Sequence, residues 1–190
     1  MRKRKETTIN ERGYWGPKEI DKHVFDKRLM VGLILMYKNV KSVVDIGCGN
    51  GAYTRAFLEH GFNCIGYDGN PITEEISGGL CHVKDFSSPV DVGKFELVLC
   101  LEVGEHLPKE FEQTFLDNVA NASEKHVCLS WALLHPRQWG TGHYNCQDND
   151  YIIGEMDKRG FTYDTVATSL IREIAKFSYL KKTIMIFIKK

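Results

Sequence analysis

From residue 41 onward, short apolar runs alternate with stretches whose apolar residues recur at helical spacing. The runs are four to six residues long, which predicts strands over 42–46, 63–67, 80–83, 96–101 and 126–131. Phe25, Leu29, Leu33 and Met36 recur at helical spacing and predict an amphipathic helix over about 18–38. Further helices are expected from Ala52 to the stop at Gly61, from Pro108 with Phe111, Phe115 and Val119 buried, and over about 148–159 before Gly160. Residues 161–166 and 182–189 read as strands around a short helix, and the β-branched run Thr183 to Ile188 suits an interior strand. Strands alternating with helices predict an α/β fold, a largely parallel sheet covered on both faces. Residues 1–13 are polar and lack an apolar period, so residues 1–16 read as a mobile basic arm and an aromatic loop, and 17–190 as one domain.

Composition narrows the partners. The 190 residues are 43% hydrophobic, enough for one substantial core. Lys plus Arg and Asp plus Glu both total 25, so the net charge of zero disfavours a partner held by bulk electrostatics, such as duplex DNA. The six cysteines are scattered without a Cys-x-x-Cys pair, and four lie in apolar runs, as reduced core cysteines do; this favours the cytoplasm. The longest apolar run, residues 29–37, falls far short of the ~18 needed to cross a bilayer, and no apolar stretch follows the basic start, so neither a membrane span nor a secretory leader is expected.

Residues 43–51, VVDIGCGNG, form a buried strand entering a turn with glycines at alternate positions, followed by a helix. Such a turn lets a ligand approach the backbone closely, and the helix end offers free N–H groups, a nucleoside-type site. Dehydrogenases cradle a pyrophosphate with Gly-x-Gly-x-x-Gly; here the spacing is Gly47-x-Gly49-x-Gly51 behind Asp45. A carboxylate just before the glycines suits a cationic ligand terminus better than a phosphate. Asp68 follows at the next strand end, placed to accept ribose hydroxyls.

This pattern resembles motif I of the class I S-adenosylmethionine (SAM)-dependent methyltransferases, over about residues 41–131. The resemblance implies a Rossmann-like, doubly wound sheet of seven strands, mostly parallel with an antiparallel last strand. It implies SAM as cofactor and S-adenosylhomocysteine as product, bound by Asp45, Gly47, Cys48, Gly49, Gly51, Asp68, Gly69, Asn70 and Leu101, with Asp85 and Phe86 beside the adenine.

Glu102, Glu105 and His106 stand at i, i+3 and i+4 after the fourth strand and would share one face of a helical turn. Glu-x-x-Glu-His here is similar to the motif of ubiquinone-biosynthesis O-methyltransferases and of small-RNA 2'-O-methyltransferases. By that resemblance Glu102, Glu105, His106 and His143 would hold a divalent ion, magnesium, manganese or zinc, able to lower the pKa of an acceptor hydroxyl. The RNA enzymes' longer histidine-rich signature is missing, His135 and His143 being the histidines after the fifth strand. The alternative is that the motif orders the loop beside the cofactor, its histidine bonded to backbone.

Methyl transfer from a sulfonium is an in-line displacement that needs few catalytic groups beyond positioning. His143 and His106 are the candidate general bases, with Glu105 beside them. Trp15, and the loop over 131–143 with Trp139, are candidate lids, or else covers for apolar surface; His23 reads as a residue at the edge of a helix. The compact chain points to a small-molecule acceptor, most simply methylated at oxygen. RNA methylation, served by the basic arm, and a catalytically silent SAM-binding subunit are the alternatives.

Overall fold

The computed structural model describes residues 9–16, 24–134, 138 and 140–190. The elements in chain order are α1 (Lys27–Met36), β1 (Ser42–Ile46), α2 (Ala52–Glu59), β2 (Asn63–Asp68), α3 (Thr73–Ser77), β3 (Cys81–Val83), β4 (Phe95–Cys100), α4 (Glu112–Ala122), β5 (Ser123–Leu129), α5 (Asn149–Lys158), β6 (Phe161–Tyr163), α6 (Thr165–Ile174), α7 (Leu180–Thr183) and β7 (Met185–Lys189). They build one seven-stranded sheet of order β3-β2-β1-β4-β5-β7-β6. The pairs from β3 through β5 are parallel, and β7 runs antiparallel to both β5 and β6. The strand order reverses between β1 and β4, and ligands of open α/β sheets bind at the carboxyl edge of such a switch point.

Successive residues of the central strands feed opposite faces. Val44, Ile46, Val98 and Cys100 pack with Phe115, Trp131, Ile152 and Phe187 on one face. Val43, Leu97, Leu99 and Cys128 pack with Leu29, Leu33, Phe57 and Ile171 on the other. Strands buried on both faces explain the near-continuous apolar runs of the sequence.

Several boundaries differ from the sequence expectation. The first helix starts at Lys27, because Asp26 takes an extended conformation and its Oδ1 accepts the amides of Arg28 and Leu29, a side-chain cap. Oδ2 of the same residue accepts the amides of Lys176 and Phe177, fastening α1 to the segment after α6. The run from residue 161 stops being a strand at Tyr163: Asp164 caps α6 through the Ala167 amide, so Val166 lies on a ten-residue helix. The expectations for residues 1–8, for His23, His135 and Trp139, and for residues 18–23 of the first expected helix lie outside the described residues.

Candidate functional site

The carboxyl edge of the sheet opens into a cleft lined by the loops after β1, β2, β3 and β4. Its floor is the turn after β1. Gly47, Gly49 and Gly51 take φ of 76°, 56° and 75°, left-handed values that favour glycine, and Gly51 leads directly into α2. The amides of Gly47 and Cys48 donate to the Tyr67 carbonyl at 2.7 and 3.1 Å, and the Gly49 amide to Asp68 Oδ2 at 2.8 Å. Asp68 Oδ1 accepts the Asn70 amide at 2.8 Å. Each Asp68 oxygen thus meets one backbone donor and keeps further acceptor capacity.

Asp45 is almost fully buried at the base of this turn, and the Thr54 hydroxyl donates to it, 2.7 Å from Oδ2. No Lys, Arg or His pairs with it among the described residues. Burial pushes its pKa up, the Thr54 hydrogen bond opposes that, and the Asp68 charge adds to it, giving about 7.

At the far end of the cleft, Asp85 Oδ1 accepts the Ser87 amide (2.9 Å) and hydroxyl (2.6 Å), while Oδ2 accepts Arg12 Nη1 at 2.6 Å. Burial works against the Asp85 carboxylate, but the Ser87 bonds and then Arg12 outweigh it and hold the group below the usual range. Phe86 is buried beside it, and Leu101 lines the cleft beyond β4.

Asp45, Gly47, Cys48, Asp68, Gly69, Asp85, Phe86 and Leu101 therefore all line one cavity. Gly49, Gly51 and Asn70 do not line it; the glycines shape the turn, and buried Asn70 braces the next one by accepting the Ile72 amide. Tyr14 of the aromatic loop lines the cavity too, and Arg12, Tyr53, Tyr179 and Leu180 line it without having been marked by the sequence. They come from segments with no local motif, and only the fold brings them to this edge.

The acidic-histidine segment adopts a conformation the sequence did not anticipate. Glu102 has φ 55°, rare for a residue with a Cβ, and a 3-10 turn over Gly104–His106 follows. Its carboxylate turns toward Ser130 Oγ (2.8 Å), Thr183 Oγ1 (3.1 Å) and Gln138 Nε2 (2.7 Å), three neutral donors. Glu105, His106 and His143 converge instead, with a ligand-type atom of each within 4.8 Å of the others. Glu102 does not join that group among the described residues.

Glu105 is fully buried, and neither carboxyl oxygen meets a hydrogen-bond donor. Burial, followed by the charge of Glu102, pushes its pKa well above the usual value. His106 Nδ1 lies 3.0 Å from the Gly142 carbonyl, so that nitrogen carries the proton and Nε2 keeps its lone pair. Burial lowers the His106 pKa to about 4, the Gly142 bond opposing and His143 adding to the effect; burial lowers His143 as well. Both imidazoles are therefore neutral near pH 7. His143 is held here because the amides of Tyr144 and Asn145 both donate to the Glu105 carbonyl at 2.9 Å. Trp131 Nε1 donates to the Asn145 carbonyl, and Asn145 Nδ2 to Glu112. His106 lines the cleft, and Glu105 and His143 meet it through their shared cluster.

Comparison with known proteins agrees with this geometry. A family model described as a methyltransferase domain matches residues 21–116. The chain is 34% identical over 84 residues to tocopherol O-methyltransferase, chloroplastic, of Arabidopsis thaliana, a match covering 37% of this chain and 24% of that protein. It is 30% identical over 108 residues to a probable tocopherol O-methyltransferase, chloroplastic, of Oryza sativa subsp. japonica, covering 50% and 30%. These matches span less than a third of the length of the curated relatives.

Among solved structures, magnesium protoporphyrin IX methyltransferase from Synechocystis, with bound SAH, superposes with a TM-score of 0.61 at 18% identity, covering 91% of this chain and 83% of that one. A TehB-like SAM-dependent methyltransferase from Corynebacterium glutamicum gives 0.64 at 16% identity, covering 91% and 93%. With the family model matched across half of the sequence, and a seven-stranded sheet carrying the glycine turn at its carboxyl edge, the chain belongs to the methyltransferase-domain family, of the class I SAM-dependent kind.

Proposed function

We propose that this chain binds SAM in the cleft and transfers its methyl group to a small-molecule acceptor, at oxygen. The observation that carries the cofactor reading is Asp45, a buried carboxyl at the glycine turn with no cation among the described residues. The ammonium of SAM's amino-acid moiety would supply that missing charge, and the spare acceptor capacity of Asp68 suits a ribose diol. Asp85 and Phe86 would flank the adenine.

Beyond the methyl group, the wall is mostly apolar and aromatic, with Trp15, Leu101, Val103, Leu107, Tyr179 and Leu180. Such a wall favours a compact, largely apolar acceptor over a polyanion. The likeness to tocopherol O-methyltransferases supports oxygen as the accepting atom. The chain's own work is to hold acceptor oxygen, methyl carbon and sulfur in line and to keep water from the sulfonium.

The second cluster favours a ligand role over a base. A neutral imidazole with a pKa near 4 is a weak proton acceptor but a ready metal ligand, and a buried carboxyl without donors gains most from a nearby cation. Glu105, His106 and His143 would hold a divalent ion, manganese, magnesium or zinc, which would act as a Lewis acid toward an acceptor hydroxyl. The six cysteines are all free, and no helix among the described residues is long and apolar enough to cross a membrane; the thiols support a reducing compartment such as the cytoplasm.

Incubating the chain with SAM and a panel of hydroxylated aromatic and aliphatic compounds tests this function. The expected result is S-adenosylhomocysteine in step with an O-methylated product, lost in Asp45→Asn and diminished by exhaustive chelation. Methylation confined to nitrogen or carbon would overturn the oxygen assignment, and full activity after chelation would overturn the ion.

A further inference from the structure

Residues 9–16 cross the mouth of the cleft as a closed strap. Ile9 and Trp15 form an antiparallel bridge, the Asn10 amide donates to the Tyr14 carbonyl at 3.1 Å, and Asn10 Oδ1 accepts the amides of Arg12 and Tyr14. These bonds make the strap one body, a turn closed by its own asparagine.

The strap touches four different loops. Arg12 bonds Asp85 beyond β3, with Ser88 Oγ 3.0 Å from the same nitrogen. Tyr14 lies on Gly69 beyond β2, so closely that a Cβ there would stand 2.6 Å from the ring. Gly13 lies flat on the His106 and Leu107 backbone, and Trp15 meets the His106 ring edge-on with centroids 5.1 Å apart. Ile9 packs against Gly142, next to His143. The base end and the acceptor end of the cleft are thus covered by the same eight residues.

A carboxylate offers about four acceptor positions. Ser87 fills two at Asp85 and Arg12 a third, which leaves one on Oδ2. That single position fits one N–H of an exocyclic amine, provided the carboxylate is held in this orientation.

We propose that Arg12 is a positioning residue that pins Asp85 for the cofactor's base, and that the strap carrying it also sets Trp15 against His106, so that the base end and the acceptor end of the cleft are coupled through one segment. This rests on the SAM reading above. The closed turn ties the backbones of Arg12 and Trp15 into one body, so loss of the contact at one end loosens the contact at the other.

The test uses the full chain with S-adenosylhomocysteine as probe, measuring affinity by calorimetry and release by stopped flow. Arg12→Ala should speed release about three- to tenfold, the range for one charge-assisted contact between partly exposed groups. Arg12→Lys should recover part of the loss, keeping charge without the planar fork. In an Asp85→Asn background, Arg12→Ala should add less than about twofold, because both changes break the same contact. The ligand-induced change in Trp15 fluorescence, isolated by comparison with Trp15→Phe, should shrink in Arg12→Ala.

Unchanged release in Arg12→Ala, or full additivity with Asp85→Asn, would overturn the latch while leaving the cofactor reading intact. A wild-type chain that binds no S-adenosylhomocysteine would sink the cofactor reading, and the latch with it.

Discussion

Asp45→Asn exchanges an ionisable carboxyl for a neutral group of the same shape, and it should separate stability from binding. The Thr54 hydroxyl keeps an oxygen to donate to, so little packing changes. The wild-type carboxyl moves from an ordinary value of 3.8 to about 7 in the fold, chiefly through burial. Below about pH 4 both native and unfolded chains hold the proton, and ionisation costs the fold nothing. Between about 4 and 7 the native chain keeps a proton that the unfolded chain has lost, so stability falls as pH rises. About three pH units at about 1.4 kcal/mol each make this loss about 4 kcal/mol, level above pH 7. Asp45→Asn should therefore match wild type in urea unfolding near pH 4 and exceed it by up to about 4 kcal/mol at pH 8.

Binding should respond oppositely. The ligand ammonium needs an ionised Asp45, so wild-type affinity for S-adenosylhomocysteine should rise toward about tenfold per pH unit between 5 and 7, then level. The variant should bind weakly at every pH. Parallel stability curves for the two proteins, or variant affinity within threefold of wild type at pH 8, would refute the reasoning.

Other perturbations probe the supports of the site. Gly104→Ala places a Cβ 2.1 Å from the Trp131 ring, and the displaced indole should cost about 2 kcal/mol or more, read as a lower thermal midpoint. Asp26→Ala removes a helix cap and leaves the Lys176 and Phe177 amides without their acceptor, which should cost about 2–4 kcal/mol in urea unfolding; a loss below 1 kcal/mol would show that water replaces it. Zinc or manganese should raise the wild-type melting temperature, and His143→Ala should weaken that ion's affinity at least about tenfold; equal affinity would remove His143 from the ligand set.

What could be read from the sequence depended on how local its cause is. Asp45, Asp68 and Asp85 were legible because each lies within two residues of a strand's carboxyl end, and strand ends of a parallel sheet share an edge whatever the helices do. Glu102 was misplaced because spacing of three and four presumes a regular helix, whereas a left-handed residue ahead of a 3-10 turn swings its carboxylate toward Ser130 and Thr183. Val166 read as strand because it follows the apolar Phe161 and Tyr163; the cap at Asp164 was the missed signal. The Arg12–Asp85 contact joins residues 73 positions apart, and no periodicity within a short window carries such information.

The insertion of β7 between β5 and β6 has a consequence for how the chain is made. Residues 185–189 must leave the ribosome before either neighbour can find its partner. Until then the backbone donors and acceptors on one side of β5 lie open, beside the apolar run Val127, Cys128 and Leu129. A nascent chain therefore carries a sticky, half-built sheet from the emergence of residue 129 until that of residue 189, which makes release or stalling within that interval a route to aggregation rather than to a smaller working protein.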